Sequence, residues 1–355
     1  EYNDADPPEV GVERGGLWWS SEERRAVTEF EPVVPRQTGA EIRVSDVIRA
    51  GLLTTIRRTK VALVLAAFAA FLVCLLIVAC RWWLLLRIQD VRIRLWEAAK
   101  LTFLGQFFNH VVPGTVGGDL VKAYYVGRHT QRKAAVLVSV FVDRLMGLTE
   151  LTLMAGVMIL IVLGVGLRTL DELFWPVVCV GVVVVAISLL MALLLSKGLR
   201  KALHLQKLYR RLPIAHHIEA AGDAANLYRA RIGSLFRAVL ITFGAHLFFV
   251  GSIALAGMSL SLETPWYGYF IYVPLIYIIG AVPITPGGIG LIEECYRLFF
   301  VTALVTPSEV VALAMFARLM PIFWGLPGIV VAVTGPRLPG TEAIEAEFGM
   351  ETGGK

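Results

Sequence analysis

Five stretches of this chain, at about 61–86, 134–167, 173–196, 235–260 and 308–334, are predominantly apolar and about as long as the roughly 20 residues a helix needs to cross a bilayer. Inside lipid a backbone N–H or C=O has no water to turn to, so such stretches must close their hydrogen bonds within themselves as helices. The fold class follows: an all-α, polytopic integral membrane protein. Composition agrees, with 57% hydrophobic and 17% charged residues, against about 25% charged in a soluble domain.

Two further apolar regions, near 96–127 and 266–304, are interrupted. Val112-Pro113-Gly114-Thr115-Val116-Gly117-Gly118 recurs as Val282-Pro283-Ile284-Thr285-Pro286-Gly287-Gly288, with Pro283 lying 170 residues after Pro113. Proline and a Gly-Gly pair break helices, and broken backbone at membrane depth is tolerated only where it is buried in protein or lines a cavity. The flanking halves are short. Residues 96–111 would rise only about 24 Å as a helix, below a hydrocarbon thickness of about 30 Å, which favours re-entrant helical hairpins over full crossings.

Loop charge sets the orientation independently. Arg81, Arg87, Arg92, Arg94 and Lys100 precede the first interrupted region, Arg128, Arg132 and Lys133 follow it, and the segment 197–237 is basic. The positive-inside rule places all three in the cytoplasm, together with a short polar tail at 335–355. Three crossings then separate the interrupted regions, so the hairpins enter from opposite faces as two inverted-topology repeats. Residues 1–60 read as a polar arm or loop, with an interfacial helix near 42–56. Their start at Glu1 suggests a segment missing upstream, such as a first transmembrane helix. The membrane domain spans 61–334. A weaker echo supports the repeat: Arg144-Leu145-Met146 and Arg318-Leu319-Met320 lie 174 residues apart.

Charges at membrane depth cost roughly 2.5–3.5 kcal/mol each on insertion scales and need partners. Asp119 and Lys122 follow the first break on one helical face; Glu293, Glu294 and Arg297 follow the second, with Glu293 and Arg297 spaced to pair at i, i+4. Asp143, Arg144, Glu150 and Arg318 lie on the next helices. One reading is internal ion pairing, such as Asp119 with Arg144, that holds helices together. The other is an anion site: each Gly-Gly opens a helix, whose unpaired N–H groups and positive dipole end attract a phosphate. Gly117, Gly118, Gly287 and Gly288 would supply the backbone, Lys122, Arg144, Arg297 and Arg318 the charge, and Asp119, Asp143, Glu293 and Glu294 the counter-charges. Thr115 and Thr285 cap the helices or bond the anion. Asn109 and His110 satisfy loose carbonyls or face a cavity.

Other polar residues have plainer readings. His246 is a packed residue, and Arg81-Trp82-Trp83 forms an interfacial belt with a snorkelling arginine. Cys74, Cys80, Cys179 and Cys295 lie in or beside apolar runs as small hydrophobes, and no metal-ligand spacing occurs. No cofactor, metal or nucleic-acid partner is expected, and no hydrolase or transferase motif or soluble catalytic domain points to an enzyme.

Gly105-Gln106-Phe107-Phe108-Asn109 leading into Pro113-Gly114-Thr115-Val116-Gly117-Gly118-Asp119 and Lys122-Ala123-Tyr124, with Asp143-Arg144-Leu145 downstream and Pro286-Gly287-Gly288-Ile289-Gly290 before Glu293, resembles the lysylphosphatidylglycerol synthase transmembrane family, also called flippase-like proteins. The similarity covers about residues 60–334. It implies an inner-membrane protein that moves an anionic lipid or lipid-linked substrate, a phospholipid or polyprenyl phosphate, between leaflets. Members that synthesise aminoacylated lipid carry a soluble domain after the membrane region; none is seen before Lys355, so synthase activity is not carried over. The alternatives are a secondary transporter of a soluble anion and a non-transporting scaffold for an envelope-synthesis enzyme.

Overall fold

A computed structural model describes residues 52–57, 59–111, 117–128, 130, 133–195, 231–282 and 285–334. The expected polar arm, the basic segment at 197–237 and the polar tail fall wholly or largely outside these residues, as do 112–116, including Thr115, and 283–284. Every regular element among the described residues is helical: α1 (Leu52–Arg57), α2 (Val61–Ile88), α3 (Leu95–Val111), α4 (Gly117–Gly127), α5 (Lys133–Gly164), α6 (Phe174–Leu195), α7 (Ile232–Ser259), α8 (Trp266–Gly280), α9 (Leu291–Phe300), α10 (Pro307–Gly325) and α11 (Pro327–Thr334).

Four helical stretches are long and apolar enough to cross a membrane: Val61–Ile88, Lys133–Gly164, Gly233–Ser259 and Pro307–Thr334, the last running through α10 and α11. The fifth expected crossing is α6, an apolar helix of 22 residues. It leaves Val182, Val185 and Leu189 exposed, the outward face of a helix meant for lipid rather than water. The four helices around the breaks are shorter. α3 has 17 residues, α4 11, α8 15 and α9 10, so even α3 rises only about 26 Å.

Helices α2 and α7 form the most extensive helix contact and run antiparallel. Lys60 at the start of α2 donates its N–H to the carbonyl of Ser259 at the end of α7, 3.0 Å away. At the other end Arg231, just before α7, donates to the carbonyls of Arg87 (3.2 Å) and Ile88 (3.0 Å) and pairs with Asp90 at 2.9 Å. One side chain thereby binds two carbonyls at the end of α2. The start of α10 is fixed by local chemistry: Pro307 opens it, Glu309 N–H donates to Thr306 Oγ1 at 3.3 Å, and Thr306 N–H donates back to Glu309 Oε2 at 2.8 Å.

The two interrupted regions attach at opposite ends of α2. Trp82 and Leu86, in its C-terminal part, share a core with Leu104 of α3, Val121, Tyr124 and Tyr125 of α4, and Val136 and Val140 of α5. Ala67, Phe71 and Leu75, in its N-terminal part, share a core with Tyr269 of α8, Tyr296 and Phe300 of α9, and Leu313 of α10. Each interrupted region also packs on helices distant in sequence. α3 packs on α10 and α11, while α8 packs on α5 and α6.

Candidate functional site

The first break is built on two glycines in contact. A Cβ placed on Gly118 would lie 1.8 Å from the carbonyl oxygen of Gly105, and one on Gly105 would lie 2.8 Å from Lys122 Cδ. Only glycine lets α3 and α4 approach this closely. Asn109, on α3, accepts a hydrogen bond from the Gly118 N–H through Oδ1 at 3.0 Å. It therefore caps α4 from across the break, a contact that neither expected role, satisfying loose carbonyls or facing a cavity, included. His110 takes the first of the two expected roles, its Nδ1 meeting the Gln106 carbonyl at 2.8 Å.

The turn of α4 that follows carries the charge. Asp119 and Lys122 are both buried, at 4% and 5% exposure. Lys122 Nζ lies 2.7 Å from Asp119 Oδ1 and sits 5.0 Å from the centroid of the Trp82 ring, a cation–π contact. Arg144, reaching in from α5, takes the other carboxylate oxygen, Oδ2. Among the described residues two cations share one carboxylate, a local charge of about +1 beside the start of α4, where helix N–H groups add positive potential. The carboxylate is enclosed while the Arg144 side chain is 43% exposed. The excess charge is thus presented outward.

The second break closes differently. α8 stops at Gly280, and Gly287, Gly288 and Gly290 all take left-handed backbone (φ 61°, 69° and 82°) before α9 begins at Leu291. Residues with a Cβ rarely adopt that region. The second Gly-Gly therefore lies in a short 3₁₀ turn, Pro286–Gly288, and does not open a helix as expected. Glu293 Oε2 accepts the Gly290 N–H at 2.8 Å and Oε1 accepts from Arg318 Nε at 2.5 Å. The arginine also lies 3.4 Å from the Gly287 and Gly288 carbonyls. Here the helix start is occupied by the chain's own carboxylate. Thr285 Oγ1 is buried with no hydrogen-bond partner among the described residues, while its carbonyl accepts the Gly288 N–H at 3.1 Å.

The two constructions share the spacing of their acid–arginine pairs. Asp119 and Arg144 are 25 residues apart, and so are Glu293 and Arg318. The ion pairs thus follow the 174-residue spacing of the Arg-Leu-Met triplets and not the 170-residue spacing of the glycines. Four extra residues between Gly288 and Glu293, spent on the left-handed turn, account for the difference.

Two expected pairings are corrected. Glu293 pairs with Arg318 on another helix and not with Arg297; Arg297 instead pairs with Glu294, three residues before it, at 2.5 Å on an exposed face. Arg297 therefore stands outside the enclosed set. Arg81 is no snorkelling belt residue. It is 5% exposed and grips Asp143 through two bonds, Nε to Oδ1 at 2.7 Å and Nη2 to Oδ2 at 2.9 Å. Asp143 and Arg144, adjacent on α5, thus tie down α2 and α4 respectively. A signal for Arg81 exists in the sequence: it lies seven residues before the end of α2 at Ile88, about 10 Å of helix.

Of the sequence-derived candidates, the structure gathers Asn109, Gly118, Asp119, Lys122 and Arg144, with Gly117 opening α4, into one set, and Gly287, Gly288, Glu293 and Arg318 into a second. Asp143 joins neither. Sequence reasoning missed Arg81 as a buried partner and Gly105 as the contact that Gly118 needs. No curated protein and no solved structure matches the chain. One family match takes in both breaks and the acid–arginine pairs that follow them, covering residues 47–328 and described as the lysylphosphatidylglycerol synthase TM region, and by that coverage the chain belongs to this family of membrane proteins.

Proposed function

We propose that this protein translocates a lipid with an anionic head group, a phospholipid or polyprenyl phosphate, from one leaflet to the other. The observation that carries the reading is the Asp119–Lys122–Arg144 set, in which, among the described residues, two cations share one carboxylate and the Arg144 side chain is 43% exposed. A phosphate offers oxygens for that guanidinium and for the N–H groups at the start of α4. Lipid tails stay in the hydrocarbon while the head group passes the broken helices.

The inverted, re-entrant arrangement belongs to the same proposal. It is supported by the antiparallel α2–α7 pair, by hairpin cores at opposite ends of α2, by the exchange of α3 and α8 into the opposite halves, and by the equal 25-residue separation of the two ion pairs. With the basic loops cytoplasmic, the first hairpin enters from the cytoplasm, the second from outside, and the C-terminus is cytoplasmic in an inner membrane.

The test uses purified protein in liposomes with fluorescent phosphatidylglycerol or fluorescent phosphatidylcholine in the bilayer, and a membrane-impermeant quencher to score leaflet exchange. The expected result is faster exchange of the anionic lipid, falling at least tenfold in Arg144→Ala. No exchange of either lipid, with uptake of a soluble phosphate instead, would move the assignment to a soluble-anion transporter. Neither activity, with Arg144→Ala neutral in cells, would favour a scaffold.

A further inference from the structure

Apart from both breaks, α2, α5 and α7 enclose a second polar set. Arg81 uses Nε and Nη2 on Asp143, and its remaining nitrogen, Nη1, is buried with no acceptor among the described residues. That nitrogen points to the gap left by Gly147. A Cβ on Gly147 would lie 3.9 Å from Arg81 Nη1 and 4.0 Å from His246 Cε1. His246 Nδ1 is also buried without a partner among the described residues. Asp143, Gly147 and Glu150 fall on one face of α5, at steps of four and three residues. Glu150 is 5% exposed, lies one helical turn beyond Gly147 on α5, and has no hydrogen bond or ion pair among the described residues.

Charge counting decides what such a set can do. Arg81 and Asp143 cancel. A second carboxylate beside them, on a residue only 5% exposed, would leave the set at −1, which the membrane interior resists. Neutrality requires one further proton, held by Glu150 with the His246 imidazole beside it as the acceptor on release. We propose that Glu150 and His246, grouped around the open nitrogen of Arg81, form a proton-binding site buried in the bundle. Release is balanced: the Glu150 O–H bond breaks, the proton passes to water or to the imidazole nitrogen, and the new carboxylate accepts a hydrogen bond from Arg81 Nη1. The other neighbours are accounted for. From α2 come Arg81 and the Cys74 thiol. α4 brings Asp119 and Lys122, already tied to each other and to Arg144. α6 and α8 bring no charged side chain, only Cys179 and the phenols of α8.

The site follows from this geometry alone, and its test needs no transport. Infrared spectra of the full chain in ester-free detergent, recorded at neutral pH in H₂O and D₂O, should contain a protonated-carboxyl C=O band that shifts in D₂O. Glu150→Gln, a neutral near-isostere, should remove it. Asp143→Asn should remove it too, because Arg81 then has only Glu150 to neutralise and the carboxyl ionises. A native protein with no such band at neutral pH, or a band surviving both substitutions, overturns the proposal. If Glu150→Gln does not fold, the Asp143→Asn spectrum decides alone: loss of the band supports the site and its persistence refutes it. A purely structural carboxyl would not respond to a change at Asp143.

Discussion

The two breaks share a frame and differ in charge. Each has a glycine turn, an acidic residue after it, and an arginine 25 residues further on that grips the acid from the next long helix. At the first break the position three residues after the acid is Lys122; at the second, three residues after Glu293, it is Tyr296, fully buried. That one difference turns a neutral staple into a set with excess positive charge. The acid–arginine pair is thus the common structural device, and Lys122 is the residue on which the proposed attraction for an anion rests.

The strongest way to break the contrast is Asp119→Asn, which strands Lys122 as an unpaired buried charge. It should cost about 3–5 kcal/mol. Glu293→Gln, whose side chain is 38% exposed, should cost about 1 kcal/mol or less. Chemical denaturation of the two purified variants checks the difference, and equal losses would contradict it.

Glycine contacts separate the halves next. Gly118→Ala meets the Gly105 carbonyl at 1.8 Å and should destabilise by about 3 kcal/mol or more. Gly287→Ala meets nothing within 4 Å but must hold φ near 61°, a cost of about 1–2 kcal/mol. Melting temperatures in one detergent would rank them.

Lys122→Met sharpens the comparison without stranding a charge, since Asp119 keeps Arg144. The protein should remain folded, and preference for fluorescent phosphatidylglycerol over phosphatidylcholine in the leaflet-exchange assay should fall about tenfold, matching roughly 1.4 kcal/mol of lost attraction. An unchanged preference would detach the excess charge from the cargo. The smallest effect is expected at Arg297→Ala: its pair with Glu294 is exposed and local to one turn, so neither melting temperature nor exchange rate should change measurably.

Much of this is local information and could be read from the residues. Length and apolarity locate the crossings, because a chain in lipid has no other way to satisfy its backbone. Proline and glycine mark the breaks, because they cannot continue a helix. Even the Asp119–Arg144 pair could be named from sequence, as two charges near a break that each needed a partner.

Partner choice between helices could not be read the same way. Arg297 and Arg318 are both eligible for Glu293, and sequence spacing favours the nearer one; packing of α9 against α10 brings the farther one. Arg81 reads as an interfacial cation until α5 sets Asp143 against it, and His246 reads as a packed ring until Gly147 opens a space shared with that arginine. Sequence by itself determined which groups the membrane must neutralise, since the cost of a charge in hydrocarbon depends on the residue and its depth. Tertiary structure alone decided which groups neutralise which, since an ion pair is fixed by where two helices meet.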